Sequence, residues 1–203
     1  NVSLYNETAG KAILPTPVIG AVGIIDDFKK SIGIAFRGVD ETVLLVGDTL
    51  GHLGQSIYLR EIEGIEDGNP PPVNLKFERR NGDCIRHLIQ AGIIIACHDL
   101  SDGGLLVGLA EMVMASDIGV KVPDASDSIP LHAWAYGEDQ ARYLITTKDT
   151  AAVVKMCGAE NVPVTEIGIT VGRELFFAGA SISIKALKEA HESWMPNYMA
   201  GVQ

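Results

Sequence analysis

The sequence predicts an α+β domain in which helices pack on a mixed β-sheet. Short runs rich in β-branched residues, such as Ile93–Cys97 and Ala141–Thr147, are too brief for helices and read as strands. Other stretches carry apolar residues at helical spacing, above all Val73–Ala91. Clusters of glycine, proline and aspartate separate the two kinds. At 203 residues the chain can bury a full core.

Taken in order, residues 1–9 alternate apolar Val2 and Leu4 with polar neighbours and read as extended. Pro15 and Pro17 suit a linker or strand entry, because each fixes φ and removes a donor. Val18–Ile25 then reads as a strand, and Glu41–Val46, after a turn at Gly38–Asp40, as its neighbour in one sheet. Gly47–Leu53 is loop, Gln55–Ile62 a short helix, and Gly64–Pro72, with its triple proline, a break. Along Val73–Ala91, Val73, Phe77, Ile85, Leu88 and Ile89 share one side, and Gly92 closes the helix. After the strand Ile93–Cys97, a helix opens near Gly103 and Gly104, with Leu105, Leu109, Met112 and Val113 on its apolar face.

Gly119–Val122 is a further strand, and residues 123–133 read as loop. Ala141–Thr147 is a strong strand, and Asp149–Gly158 a helix capped by Thr147 or Asp149. Val162–Val171, Glu174–Ala178 and Ser181–Ile184 read as strands between glycine turns. A last helix runs from Lys185 to about Trp194 and stops before Pro196, with Trp194, Met195 and Tyr198 packed against the domain.

Sixteen basic residues against 26 acidic ones give a net charge of −10, which argues against a nucleic-acid surface. No apolar run approaches the ~20 residues of a membrane span. Cys84, Cys97 and Cys157 form no CxxC pair, so they indicate neither a zinc site nor a disulfide framework and read as free thiols of a reducing cytosol. The chain opens on Asn1 with no signal-peptide pattern and reads as a fragment of a longer protein.

The chemistry concentrates in His98-Asp99-Leu100-Ser101-Asp102-Gly103-Gly104-Leu105. A carboxylate at a strand end, followed by a helix opened by glycines, suits a Mg-bound phosphate: the carboxylate takes the metal, and uncovered amides take the oxygens. Ser101 or Asp102 is the natural N-cap. The same residues also make an ordinary strand-to-helix turn. His98 follows a buried strand and reads as a hydrogen-bonded structural histidine. His52, His87, His132 and His191 have no triad partner or metal-ligand spacing. Glu138, Asp139 and Gln140, just before a strand, face a ligand or form a turn.

Three segments occur in order: Asn-Val-Ser-Leu-Tyr-Asn-Glu-Thr from Asn1, Pro-Thr-Pro-Val-Ile-Gly from Pro15, and the His98 motif. Together they resemble the C-terminal part of phosphoribosylformylglycinamidine synthase (FGAM synthase), in the form of the short bacterial synthetase subunit, across essentially the whole chain. The resemblance implies a fold like the C-terminal domain of aminoimidazole ribonucleotide synthetase-related proteins. Residues 1–25 would end a preceding ATP-binding domain and linker, and 26–203 would be the C-terminal α+β domain. It implies a cytoplasmic C–N ligase of purine biosynthesis that uses formylglycinamide ribonucleotide, ATP and glutamine, with Mg2+ as cofactor and ADP retained at an auxiliary site. Its partners would be the upstream domains, a glutaminase subunit and a small third subunit, with no nucleic acid and no membrane.

By the same resemblance Asn1 contributes an oxygen to Mg2+ and Ser3 contacts substrate. Asp99 and Ser101 hold the metal and the nucleotide of the auxiliary site. The family's catalytic histidine lies upstream, so no catalytic residue is assigned here and the fragment alone is expected to be inactive. Glu138-Asp139-Gln140 matches, through an internal duplication, a Glu-Ser-Gln that binds substrate. The charge of Asp139 would repel a phosphate, so this copy reads as having lost substrate, with Glu138 left to line the auxiliary pocket. Two alternatives stay open: a related ATP-dependent synthetase of the same superfamily, and a non-catalytic domain that docks partners.

Overall fold

The computed structural model describes residues 7–12, 20–123 and 128–201. Strands β1 (Glu7–Thr8) and β2 (Lys11–Ala12) form a small hairpin of their own. The main sheet has seven strands: β3 (Thr42–Val46), β4 (Ala96–Asp99), β5 (Val120–Val122), β6 (Tyr143–Thr147), β7 (Val164–Thr170), β8 (Glu174–Phe177) and β9 (Ala180–Ser183). Their order is β4-β6-β3-β7-β5-β8-β9, and only β5 and β8 run parallel, so the sheet is mixed as predicted. The helices are α1 (Leu75–Gln90), α2 (Gly104–Ser116), α3 (Leu131–Tyr136), α4 (Thr150–Ala159) and α5 (Ile184–Met199).

The central strands are apolar on both faces, so the sheet is covered on both sides. Val43 and Leu45 of β3 and Leu144 of β6 join Leu105, Leu109, Met112 and Val113 of α2 in one core. Leu44, Val46 and Ile145 point the other way, into a second core with Cys84, Ile85 and Leu88 of α1 and Val153 and Cys157 of α4. Local signals set the helix ends. Asn74 Oδ1 caps α1 at Lys76 and Phe77, and Gly92, at φ +68°, closes it with the Ile93 N–H on the Leu88 carbonyl. Asp149 caps α4 by accepting from the Ala152 N–H.

Several expectations are corrected. The apolar run predicted as a strand over 18–25 has no strand at residues 20–25, where Val22 and Ile24 are 103% and 96% exposed. Both edges of β3 are already taken, by β6 and β7, so the sheet has no place beside it for that run. The strand expected at Ile93–Cys97 is shifted to β4, because Ile93 is used to close α1, and it therefore carries His98 and Asp99 itself. The predicted short helix is present over 57–63, with Leu59–Glu63 wound as a π-helix.

The segment expected to be loop contains α3, which starts after Pro130 and buries Trp134. Val73 and Phe77 do not join the buried stripe of α1, which begins at Asn81. α5 continues through Pro196, on an exposed stretch where water can serve the carbonyl that proline leaves unpaired. Trp194, Met195 and Tyr198 are exposed rather than packed among the described residues: α5 is anchored by buried Ile184, and Trp194 stacks on Tyr198 at 5.3 Å.

Candidate functional site

β4 ends on Asp99, and Leu100–Gly103 lead the chain into α2. Leu100 is buried, its N–H on the Arg142 carbonyl at 3.0 Å, which fixes the bend. Asp99 then projects outward with its side chain 77% exposed, and Ser101 and Asp102 are also exposed. The two site residues that the sequence singled out at this turn therefore share one exposed strand end.

The glycines do a different task from the one predicted. Neither Ser101 nor Asp102 caps α2; Gly103 stands at the cap position with φ +78° and Gly104 follows at +67°. A β-carbon on Gly104 would lie 2.4 Å from the Gly137 carbonyl oxygen, and one on Gly103 would lie 2.5 Å from Val107. The space that a side chain would take at these residues is filled by the protein. The Gly103 N–H donates to Glu138 Oε1 at 2.8 Å, and the same oxygen takes the Ile57 N–H at 2.9 Å. Negative charge is stabilised at a helix N-terminus, and here the chain's own carboxylate supplies it.

Asp139 is buried, and of the two readings open for this segment, a ligand face or a turn, it follows the turn. Its oxygens accept from the Leu50, Gly51 and His52 N–H groups at 3.0, 2.8 and 3.2 Å. Buried Arg142 lies beside it, 4.0 Å from Oδ2, and donates to the Asp139 carbonyl, the Gly137 carbonyl and Thr49 Oγ1. Burial lowers the Arg142 pKa, and Asp139 acts against that shift. Glu138 and Asp139 thus fasten the 50–57 segment to the turn. Exposed Gln140 lines a cavity of about 350 Å3 with Asp48, Leu50, Pro72, Phe77 and Asn81.

His98 is hydrogen-bonded, as expected: Nε2 lies 2.6 Å from Glu111 Oε2, while Nδ1 lies 3.6 Å from Asp99 Oδ1. Glu111 was not foreseen, although it is the single charged residue of α2 and that singularity was a readable signal. His52 and His87 bond the Asn69 carbonyl and Glu160.

Among the described residues no three His, Cys, Asp or Glu side chains gather as a metal cage. Mg2+ needs none: it keeps several waters and takes one or two carboxylates plus phosphate oxygens. An exposed carboxylate with a neighbouring hydroxyl, both hard oxygen donors, fits that role as one wall of an open site. Asn1 and Ser3 lie outside the described residues.

The family model for "AIR synthase related protein, C-terminal domain" matches residues 38–179. The phosphoribosylformylglycinamidine synthase subunit PurL of Bradyrhizobium sp. (strain ORS 278) is 57% identical over 99% of this chain, and that of Rhodopseudomonas palustris (strain BisA53) is 55% identical over 98%. The chain spans 28% of the length of each of these relatives. The structure of Thermotoga maritima PurL complexed with FGAR superposes with a TM-score of 0.67 at 12% identity, over 79% of this chain and 30% of that one. Escherichia coli HypE, a hydrogenase maturation protein, gives 0.52 at 15% identity, over 75% of this chain and 52% of that one. At these identities the structural likeness speaks for the fold.

Proposed function

The chain belongs to the AIR synthase related family through its C-terminal domain, and on that premise we propose that it is the C-terminal part of an FGAM synthase synthetase chain. The reaction is the ATP-dependent amination of formylglycinamide ribonucleotide to its amidine, with ammonia from glutamine and with ADP and phosphate as products. The carrying observation is the 55–57% identity, over nearly the whole chain, to relatives named for this enzyme. The proposal places residues 1–25 at the end of a preceding ATP-binding domain and 26–203 in the C-terminal domain. The enzyme works in the cytoplasm with a glutaminase and a small third subunit.

Within this part, Asp99 and Ser101 line a nucleotide site as the wall described above. Bound Mg2+ would neutralise charge on the nucleotide phosphates. Asp99 offers its carboxylate to the metal and Ser101 its hydroxyl to the nucleotide. Asn1 is assigned to a second Mg2+ position and Ser3 to the substrate. Glu138, through Gly103 and Ile57, holds the turn that presents Asp99 and Ser101.

One observation favours a second reading, in which this domain is structural and docks partners: the Gly103 N–H is occupied by the protein's own Glu138. Two measurements on the intact polypeptide separate the readings. ADP release in the presence of ammonium should depend on formylglycinamide ribonucleotide; release that stays independent of it, even with the glutaminase and small subunit added, overturns the assignment. Asp99→Ala should strip retained nucleotide without lowering stability. A variant that is destabilised yet still retains nucleotide supports the structural reading.

A further inference from the structure

We infer that His98 is a positioning residue that sets where the Asp99 carboxylate rests; the inference builds on the reading of Asp99 as the carboxylate that meets the nucleotide's cation. His98 Nδ1 is the one buried side-chain nitrogen or oxygen without a hydrogen-bond partner among the described residues. Such atoms are rare in native proteins because each forfeits its water bonds for nothing, so its placement calls for a cause. The ring cannot swing away to find a partner. Its Nε2 is held at 2.6 Å by Glu111 of α2, and its Cδ2 edge lies against Gly108, 3.9 Å from where a β-carbon there would stand.

What Nδ1 faces is Asp99 Oδ1, at 3.6 Å. The two partners differ in freedom. The imidazole is 17% exposed and tied at its far side, whereas the Asp99 carboxylate is 77% exposed. The exposed Asp99 side chain is the freer of the two, so the fixed ring defines the resting place and the carboxylate adapts to it. Glu111, His98 and Asp99 then form a line from α2 to the strand end. This is the arrangement by which an outer residue orients a metal-binding carboxylate.

The test uses the intact polypeptide with Mn2+ and ADP as probes. Mn2+ binding is followed by electron paramagnetic resonance, and the Asp99-dependent part is defined as what Asp99→Asn removes. His98→Gln reaches Glu111 but offers nothing at the Nδ1 position. His98→Asn places an amide where Nδ1 stands but cannot reach Glu111. The expected result is an Asp99-dependent affinity about tenfold weaker in His98→Gln, with His98→Asn retaining more of it at equal or lower thermal stability.

A purely structural histidine gives the reverse order, and wild-type affinity in His98→Gln overturns the inference. Should both variants fail to fold, Glu111→Gln, which keeps the contact, and Glu111→Ala, which frees the ring, replace them. Loss of Mn2+ affinity in Glu111→Ala alone supports the inference, and equal affinity in the two overturns it. If Asp99→Asn removes no Mn2+ signal, the reading of Asp99 itself has failed, and that result is distinct from the others.

Discussion

Glu138 and Gly103, 35 residues apart in the chain, meet in a 2.8 Å hydrogen bond from the glycine amide to the carboxylate. Because the same oxygen takes the Ile57 amide, one side chain joins the turn before α2, the segment before β6 and the π-helix region. Glu138→Ala leaves two amides without their acceptor, a loss of about 2 kcal/mol. Glu138→Gln keeps a carbonyl oxygen in place and should lose about half as much. Amide hydrogen exchange on the intact polypeptide should accelerate together in the peptides covering Ile57 and Gly103. Acceleration in only one of them contradicts a single shared latch.

The adjacent glycines are required by packing on opposite sides. Gly104→Ala drives a β-carbon against the Gly137 backbone carbonyl at a φ of +67°, and backbone cannot turn aside. The expected cost exceeds about 3 kcal/mol. Gly103→Ala, at a φ of +78°, meets only a side chain, that of exposed Val107, whose Cγ2 at 2.5 Å can rotate away while its Cβ at 2.9 Å needs a small shift of the helix start. Thermal melts of the two variants should therefore rank Gly104→Ala as the more damaging. An equal or reversed ranking would show that the Gly137 contact yields.

How far the sequence carries depends on where each signal lives. Gly92 and Asp149 act on amides and carbonyls within a few residues, so the end of α1 and the start of α4 were readable, whereas Asn74 caps α1 so that it begins at Leu75, two residues after the expected start at Val73. β3 and β6 were readable because both alternate within apolar runs that either face of a covered sheet accepts. The run at 20–25 has the same composition, but a strand needs a free edge, and the edges of β3 were filled by chain more than 90 residues later. At the site, the exposed position of Asp99 followed from its place at a strand end. The fates of Glu138 and Asp139 did not, because their partners at Gly103, Ile57 and residues 50–52 come from distant segments. Of the two readings left open there, a ligand face or a turn, the turn holds, with both carboxylates on loop amides.

That distinction bears on Asp139. Converting it to serine restores the Glu-Ser-Gln pattern expected of a substrate-binding copy, but the structure assigns the carboxylate another duty. Asp139→Ser strands the amides of Leu50, Gly51 and His52 and leaves fully buried Arg142 without its carboxylate. Breaking a buried charge pair from one side costs about 3–5 kcal/mol. The variant should melt well below wild type and gain no affinity for formylglycinamide ribonucleotide. A stable variant that binds a second equivalent in equilibrium dialysis would contradict this account.

The three cysteines give a prediction on the alkaline side. Burial pushes the Cys84 and Cys97 thiols from 9.0 up to about 12, and Cys157, 3.8 Å from Cys84, is raised in the same direction. The fold prefers the protonated thiol, whereas the unfolded chain releases its protons near the ordinary cysteine value. Stability is therefore complete below about pH 8.5 and falls as pH rises toward the folded-state values, by at most about 1.4 kcal/mol per pH unit for each thiol. Urea midpoints of the intact polypeptide should hold steady from pH 7 to 8 and decline between pH 9 and 11. Cys97→Ala should start from a lower midpoint, since it leaves a void, yet decline less steeply over that interval. At pH 8 a thiol reagent should label the three cysteines only after urea is added, because none presents an accessible thiolate in the fold. Rapid labelling of the folded protein, or an unchanged alkaline slope in Cys97→Ala, would show that these thiols are not held protonated by burial.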